Sequence, residues 1–234
     1  MNYFKTYLQN LYSNSVLHNL DNIKSLLPKN RNSKYLDLGC DDGVRTMSWA
    51  NSIGTKNVFG AEIVPEKVML SQQKGIFVKE FDLNHKFPFE DSSFDLITSN
   101  QVIEHLLDTD LFLSEIFRIL APGGYFIVST ENASSWCNIF ASIMGWQIFS
   151  LTNFSDRKLG IGNPLALHRD KSINLKSWNH VRILNFRGLK EYLEAWNFKI
   201  IEVKGAGYFP LPTSIAKFDT IHSHFITFKV QKLI

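Results

Sequence analysis

The ten residues Lys34–Gly43, KYLDLGCDDG, leave little freedom in what can surround them. Tyr35, Leu36 and Leu38 are the apolar run of a short buried strand. Gly39 permits a sharp turn, and Val44, Met47, Trp49 and Ala50 then recur at spacings that suit a helix. A strand feeding a glycine turn and then a helix brings backbone N–H groups, and the positive end of a helix dipole, to one edge of a sheet. Gly39 and Gly43 lack Cβ atoms, so a ligand can lie close against the backbone there. Asp37, at the strand's end, can accept hydrogen bonds from a cationic ligand or from the turn itself. The stretch is not the dinucleotide fingerprint G-x-G-x-x-G, because Cys40, Asp41 and Asp42 separate the two glycines. Two aspartates repel a pyrophosphate and tolerate a ligand carrying an ammonium or sulfonium group. A ligand-free turn between strand and helix has the same residues, so the rest of the chain decides.

Helical periodicity runs through Tyr3–Leu27 and predicts two helices broken near Ser13–Ser15, followed by a polar linker at Pro28–Ser33. Strands are expected at Asn57–Ile63, Gly75–Leu83, Phe94–Ser99 and Tyr125–Thr130. Helices are expected from Pro65 to about Lys74 and over Asp110–Leu120, the second stopped by Ala121-Pro122-Gly123-Gly124. Strands alternating with helices argue for a mostly parallel sheet covered on both faces. After Glu131 the pattern changes. Trp136–Leu151 is strongly apolar, and Thr152–Asn185 has little periodicity, a combination typical of a lid or binding segment. A helix at Phe186–Trp196 and strands at Phe198–Val203 and Phe225–Val230 close the chain. This describes a single α/β domain, with an N-terminal helical cap over 1–30, a ligand-binding core over 31–133, a lid over 134–185 and a final helix and strands over 186–234.

A chain of 234 residues suits that organisation. Its net charge of +3 gives no argument for nucleic acid or membrane. Cys40 and Cys137 are the only cysteines, which gives no disulfide framework and points to a reducing compartment. Met1–Leu20 lacks the order of a secretory signal, and no apolar run approaches the roughly 20 residues of a membrane span. The expectation is a soluble, cytoplasmic protein. No Cys/His cluster has metal-ligand spacing, so no metal is expected, and no alternation of basic and aromatic residues marks a nucleic-acid track.

Ligands of open α/β sheets sit beyond the carboxyl ends of the strands. The polar residues there are Asp37 and its turn, Glu62, Asp82, and Asn100 with Gln101. Glu62 lies roughly twenty residues past the turn, where an acid can take both hydroxyls of a ribose. With the ordered segments YLDLGCDDG, VFGAEI, FPFEDSSFDLITSNQVIEHL and RILAPGGYFIVSTEN, the chain resembles the class I S-adenosylmethionine-dependent methyltransferases over about Tyr35–Asn132. The resemblance implies a Rossmann-like sheet of order 3-2-1-4-5-7-6, with the last strand antiparallel. It implies S-adenosylmethionine as cofactor, its methionine part held by Asp37 and the turn Gly39, Cys40, Asp41 and Gly43. Glu62 would take the ribose with Ile63 beside the adenine, Asp82 would accept from the adenine amino group, Leu83 would offer its N–H, and Asn100 would line the methionine pocket. The family commonly has glycine where this chain has Asp41, a residue able to adopt the left-handed conformation.

Methyl transfer to a hydroxyl calls for a base, and His105, His180 and His168 are the candidates, with Glu131 as an acidic alternative. Arg157, Lys158, Arg169, Lys171, Lys176, Arg182, Arg187 and Lys190 are opposed only by Asp170, which favours a polar, sugar-like or anionic small-molecule acceptor. The residues Trp136, Phe140, Ile143, Met144, Trp146, Ile148 and Phe149 read as a lid packed on the core, and an amphipathic surface meeting a lipid is the other reading. Ser99-Asn100-Gln101-Val102 replaces the motif expected for methylating exocyclic base nitrogens. A module that binds the cofactor without transferring methyl, a lipid-linked or macromolecular acceptor, and an oxidoreductase are the alternatives.

Overall fold

The computed structural model describes residues 3–169 and 178–233. Its centre is a seven-stranded sheet of order β3-β2-β1-β4-β5-β7-β6. The strands are β1 (Lys34–Leu38), β2 (Asn57–Glu62), β3 (Phe77–Glu80), β4 (Phe94–Asn100), β5 (Leu120–Glu131), β6 (Phe198–Ala206) and β7 (Phe225–Lys232). Pairing is parallel from β3 through β5, and β7 runs antiparallel between β5 and β6. The helices are α1 (Tyr3–Leu26), α2 (Val44–Ile53), α3 (Pro65–Gln72), α4 (Thr109–Ile119), α5 (Trp136–Ile143) and α6 (Phe186–Ala195). The strand order expected from the resemblance is the observed one.

Alternation along the strands separates two apolar layers. Tyr35, Leu96 and Ile127 pack with Ile23, Trp49 and Ile53 from α1 and α2. Their neighbours Leu36, Ile97 and Phe126 face the other way, onto Phe112 and Ile116 of α4 and Leu189 and Leu193 of α6. These central strands are buried on both faces, which is why they read as continuous apolar runs.

Three local expectations change. Tyr3–Leu26 is one continuous helix, because Ser15 turns its hydroxyl back to the carbonyl of Leu11 (2.7 Å) instead of competing for a turn. Residues 121–124 lie inside β5, not before it. Leu120 is already extended and pairs with Phe94, Gly123 takes φ +78°, and the register shifts across this bulged start. β3 stops at Glu80, where its pairing with β2 ends, so Asp82 and Leu83 belong to the following loop.

One amide of α1 reaches three strands at once. Asn19, 3% exposed, donates to Asn100 Oδ1 (3.1 Å) and accepts from Ser129 Oγ (2.9 Å) and Thr227 Oγ1 (3.0 Å), joining α1 to β4, β5 and β7. Asn19→Ala removes this shared partner from Asn100, Ser129 and Thr227 in a buried interface, so it should cost about 1–3 kcal/mol of unfolding free energy, measured by urea denaturation.

Candidate functional site

The turn after β1 is built around a buried carboxylate. Asp37 accepts from Thr46 Oγ1 (2.5 Å) on α2 and Thr98 Oγ1 (2.6 Å) on β4, and Thr98 in turn pairs with the hydroxyl of Tyr35 (2.7 Å). Burial pushes the Asp37 carboxyl up to about 7, against the opposing pull of the two hydroxyl donors. Gly39 and Cys40 both donate to the carbonyl of Ala61 (2.9 and 3.1 Å), which pins the turn to β2. Gly39 has φ +75°, and a Cβ there would come within 2.6 Å of Val102 Cγ2. Asp41 is also left-handed, with φ 50°. Its N–H joins those of Ile63 and Val64 on the Glu62 carboxylate, three backbone donors at 2.9, 2.9 and 3.0 Å. Lys67 pairs with the Asp41 side chain at 2.8 Å.

Asp37, Gly39, Cys40, Asp41 and Asn100 line one small cleft, about 30 Å³ in its enclosed part. Arg45, Asp42 and Trp49 join them; nothing in their spacing marked them as lining residues. Gly43, with φ +79°, faces away: a Cβ there would meet Ile76 and Ser71. Ile63 is exposed. Asp82 holds Asn84 through its N–H (2.8 Å) and Nδ2 (2.9 Å), and Leu83 is buried; neither lines the small cleft.

After Asn100 the chain reverses at Gln101 (φ 56°) into a single 3-10 turn, Ile103–His105. The N–H groups of Val181 (2.8 Å) and Arg182 (3.4 Å) reach the carbonyl of Glu104, so this turn is bound to the end of the long segment after β5. His105 and His180 are thereby brought edge to face, with ring centroids 4.7 Å apart. His105 Nδ1 donates to the carbonyl of Asn179 (3.1 Å) and His180 Nδ1 to that of Ser150 (2.6 Å). A carbonyl only accepts, so each neutral ring carries its proton on Nδ1 and leaves Nε2 as an acceptor. Burial, with His180 adding to it, lowers His105 to about 4, and burial also lowers His180. Glu104 is 1% exposed and accepts from Thr130 Oγ1 (2.9 Å). Burial, with the Glu131 charge adding, raises it to about 8.

A second and much larger cavity, about 600 Å³, opens beyond β5. Leucine, phenylalanine and tryptophan supply much of its wall, and its polar groups include His180, His168, Glu131, His224 and Tyr12. Glu131 Oε1 lies 3.9 Å from His224 Nε2, and burial plus the Glu131 charge raise the Tyr12 phenol. Tyr12 and His224 come from α1 and the residue just before β7, so no sequence motif could have gathered them. Among the described residues no Lys or Arg lines this cavity. Arg169 holds the carbonyls of Gly160 and Asn163, Arg182 holds Thr109 and Leu107, and Lys190 pairs with Glu194. Lys171, Lys176 and Asp170 lie outside the described residues.

The two ends of the segment between β5 and α6 meet at Asn132, fully buried just after β5. Its Oδ1 accepts from Ser134 and from the N–H of Phe186 (3.1 Å), and its Nδ2 donates to Ile221 and Ser223 (both 2.8 Å). Its carbonyl accepts from Asn138 of α5 (2.9 Å). α5 turns Asn138 and Ala141 inward, while Trp136, Phe140, Ile143 and Met144 are exposed. No helix among the described residues is long and apolar enough to cross a membrane.

Sheet order and the antiparallel seventh strand define the Rossmann-like methyltransferase fold. The chain belongs to the methyltransferase domain family, whose profile matches residues 6–203, and S-adenosylmethionine is the cofactor of its named relatives. It is similar to the mitochondrial ubiquinone biosynthesis O-methyltransferase of Dictyostelium discoideum, 24% identical over 75% of this chain and 53% of that one. The malonyl-[acyl-carrier protein] O-methyltransferase of Erwinia billingiae is 29% identical over 56% of this chain and 51% of its own. The chain thus spans about half the length of these curated relatives, or less in other matches. Among solved structures, an S-adenosylmethionine-dependent methyltransferase from Mesorhizobium loti superposes with a TM-score of 0.59 at 19% identity, covering 90% of this chain and 96% of the other, a likeness of fold.

The raised Asp37 carboxyl has a measurable consequence. Folded Asp37 keeps its proton up to about 7, and the unfolded carboxyl loses it near 3.8, so the folded state binds more protons between those values. Stability from this group is complete below the unfolded value and is lost as pH rises through the folded one. Asp37→Asn should remove that slope, gaining on the order of 4 kcal/mol relative to wild type between about pH 4 and about pH 8, read from paired urea titrations.

Proposed function

We propose that the chain transfers the methyl group of S-adenosylmethionine to a hydroxyl of a small molecule whose apolar body fills the cavity beyond β5. The observation that carries this reading is that His180, with Nε2 free as an acceptor, stands in the wall of that cavity. Asp37 and the turn through Gly39, Cys40 and Asp41 hold the methionine part, with Asn100 beside them. Gly43 shapes the turn without touching the ligand. Glu62 takes the ribose, Ile63 lies at the adenine, and Asp82 and the N–H of Leu83 meet its edge. The donor set fits the cofactor: buried Asp37 has hydroxyl partners but no cation in contact, and an ammonium supplies one. When bound, the sulfonium supplies an electrophilic methyl group. What remains for the protein is to align the acceptor, exclude water and receive its proton.

His180 is the better placed base, since it lines the cavity, whereas His105 is the weaker base behind it. An apolar acceptor body agrees with the cavity wall and with relatives named as a ubiquinone biosynthesis O-methyltransferase and a demethylmenaquinone methyltransferase. The basic run argues for an anionic group on the acceptor, but the side chains of Arg169, Arg182 and Lys190 are engaged within the protein. His180→Gln should slow single-turnover transfer by about 10²–10⁴-fold while leaving affinity for S-adenosylhomocysteine unchanged. Full rate in that variant would remove the histidine from the chemistry. Failure to methylate any hydroxylated quinone, phenol or sugar would favour a non-catalytic binding module.

Glu62→Ala removes the acceptor for the ribose and leaves the N–H groups of Asp41, Ile63 and Val64 without theirs. The dissociation constant for S-adenosylhomocysteine should rise at least about tenfold by calorimetry. Amide exchange at these three residues should quicken in the same variant.

A further inference from the structure

The geometry points to a second occupant of this region: one divalent metal ion held by Glu104, His105 and His180. The three side chains place one ligand atom each within 4.8 Å of one another. A carboxylate and two imidazoles form the donor set of three-ligand catalytic metal sites, which keep an open position for water or substrate. Coordination at about 2.0–2.2 Å requires the three atoms to close in by about an ångström, within the reach of small side-chain rotations.

The outer partners argue more strongly than the distances. Ligating histidines donate their other ring N–H to a carbonyl or carboxylate, which fixes ring and tautomer. Here His105 is held by Asn179 and His180 by Ser150, each through Nδ1 to a backbone carbonyl, and each ring keeps Nε2 free. Glu104 is held through Oε2 by Thr130, while Oε1 is buried with no hydrogen-bond partner. A buried carboxylate oxygen without a donor is costly, and a cation on Oε1 removes that cost. The backbone bonds from Val181 and Arg182 to the Glu104 carbonyl hold the two halves of the site together. Imidazole-rich donors suit Zn²⁺ in preference to Mg²⁺ and Mn²⁺, which favour oxygen ligands.

His180 lines the acceptor cavity, so the open position of such an ion faces it. There the ion would bind the acceptor hydroxyl and make its proton easier to lose to solvent, with His180 Nε2 then serving as a metal ligand in place of acting as the base. That consequence rests on the methyl-transfer reading; metal binding itself does not.

The full chain, freed of metal with a chelator, is titrated calorimetrically with Zn²⁺ and with Mn²⁺, without S-adenosylmethionine. Co²⁺ absorption serves as a probe of the ligands. One equivalent should bind. Glu104→Gln, His105→Ala and His180→Ala should each weaken it by at least about tenfold. Thr130→Val, which keeps all three ligands and frees only Glu104 Oε2, should weaken it about 10–100-fold, in the range of outer-partner losses. Wild type that binds neither ion more tightly than about 1 mM, or ligand variants that titrate like wild type, overturns the proposal. Where a ligand variant does not fold, Thr130→Val and the Co²⁺ spectrum of wild type decide: a spectrum indistinguishable from hydrated Co²⁺ overturns it. Metal bound with no acceptor methylated removes only the methyl-transfer reading. Full transfer in metal-free protein that binds no ion removes only this one.

Discussion

The carboxylate of Asp37 is the interaction on which the rest of the molecule depends. One hydroxyl comes from α2, another from β4, and Tyr35 behind Thr98 extends the chain of bonds through the sheet. The turn after β1 is thereby fixed relative to its parallel neighbour and to the helix that leaves it. The same bonds leave a buried acid surrounded by neutral donors, in a place where its ionised form is disfavoured. The fold therefore carries an electrostatic debt at its centre that a bound cation would relieve.

Much of this architecture was legible in the sequence because the central strands are short, buried on both faces and bounded by turn residues. The order of strands was not; it came from resemblance, since alternation says which residues are buried but not which strand lies beside which. The misjudged boundaries share a cause. Ser13–Ser15 look like a break only if a serine cannot satisfy its hydroxyl within a helix, and Ser15 does so at Leu11. Ala121-Pro122-Gly123-Gly124 looks like a connection, yet a strand can absorb it as a bulge when its partner shifts register. In both, a tertiary or local hydrogen bond overrides composition.

The candidate site divides along the same line. Asp37, Gly39, Cys40, Asp41 and Asn100 come from strand ends that topology brings together, so they could be named in advance. The grouping of Glu104, His105 and His180 could not. Neighbours in sequence supply two of its members, but the third arrives only because the backbone of Val181 and Arg182 docks on Glu104. Its outer partners, Thr130, Asn179 and Ser150, come from a strand, a loop and a 3-10 turn. Spacing rules for metal or catalytic motifs see none of this.

Asn132 has a consequence for how such a chain can vary. Its amide ties the residue that leaves β5, the N-terminus of α6 and the approach to β7, so the intervening segment begins and ends at a single point. A loop whose ends are already joined changes length at a cost that grows only logarithmically. Insertions, deletions and wholesale replacement between those ends leave the sheet's register untouched. The segment between Asn132 and Phe186 can thus be rewritten over generations while the sheet stays as it is, and one buried asparagine is the seam between them.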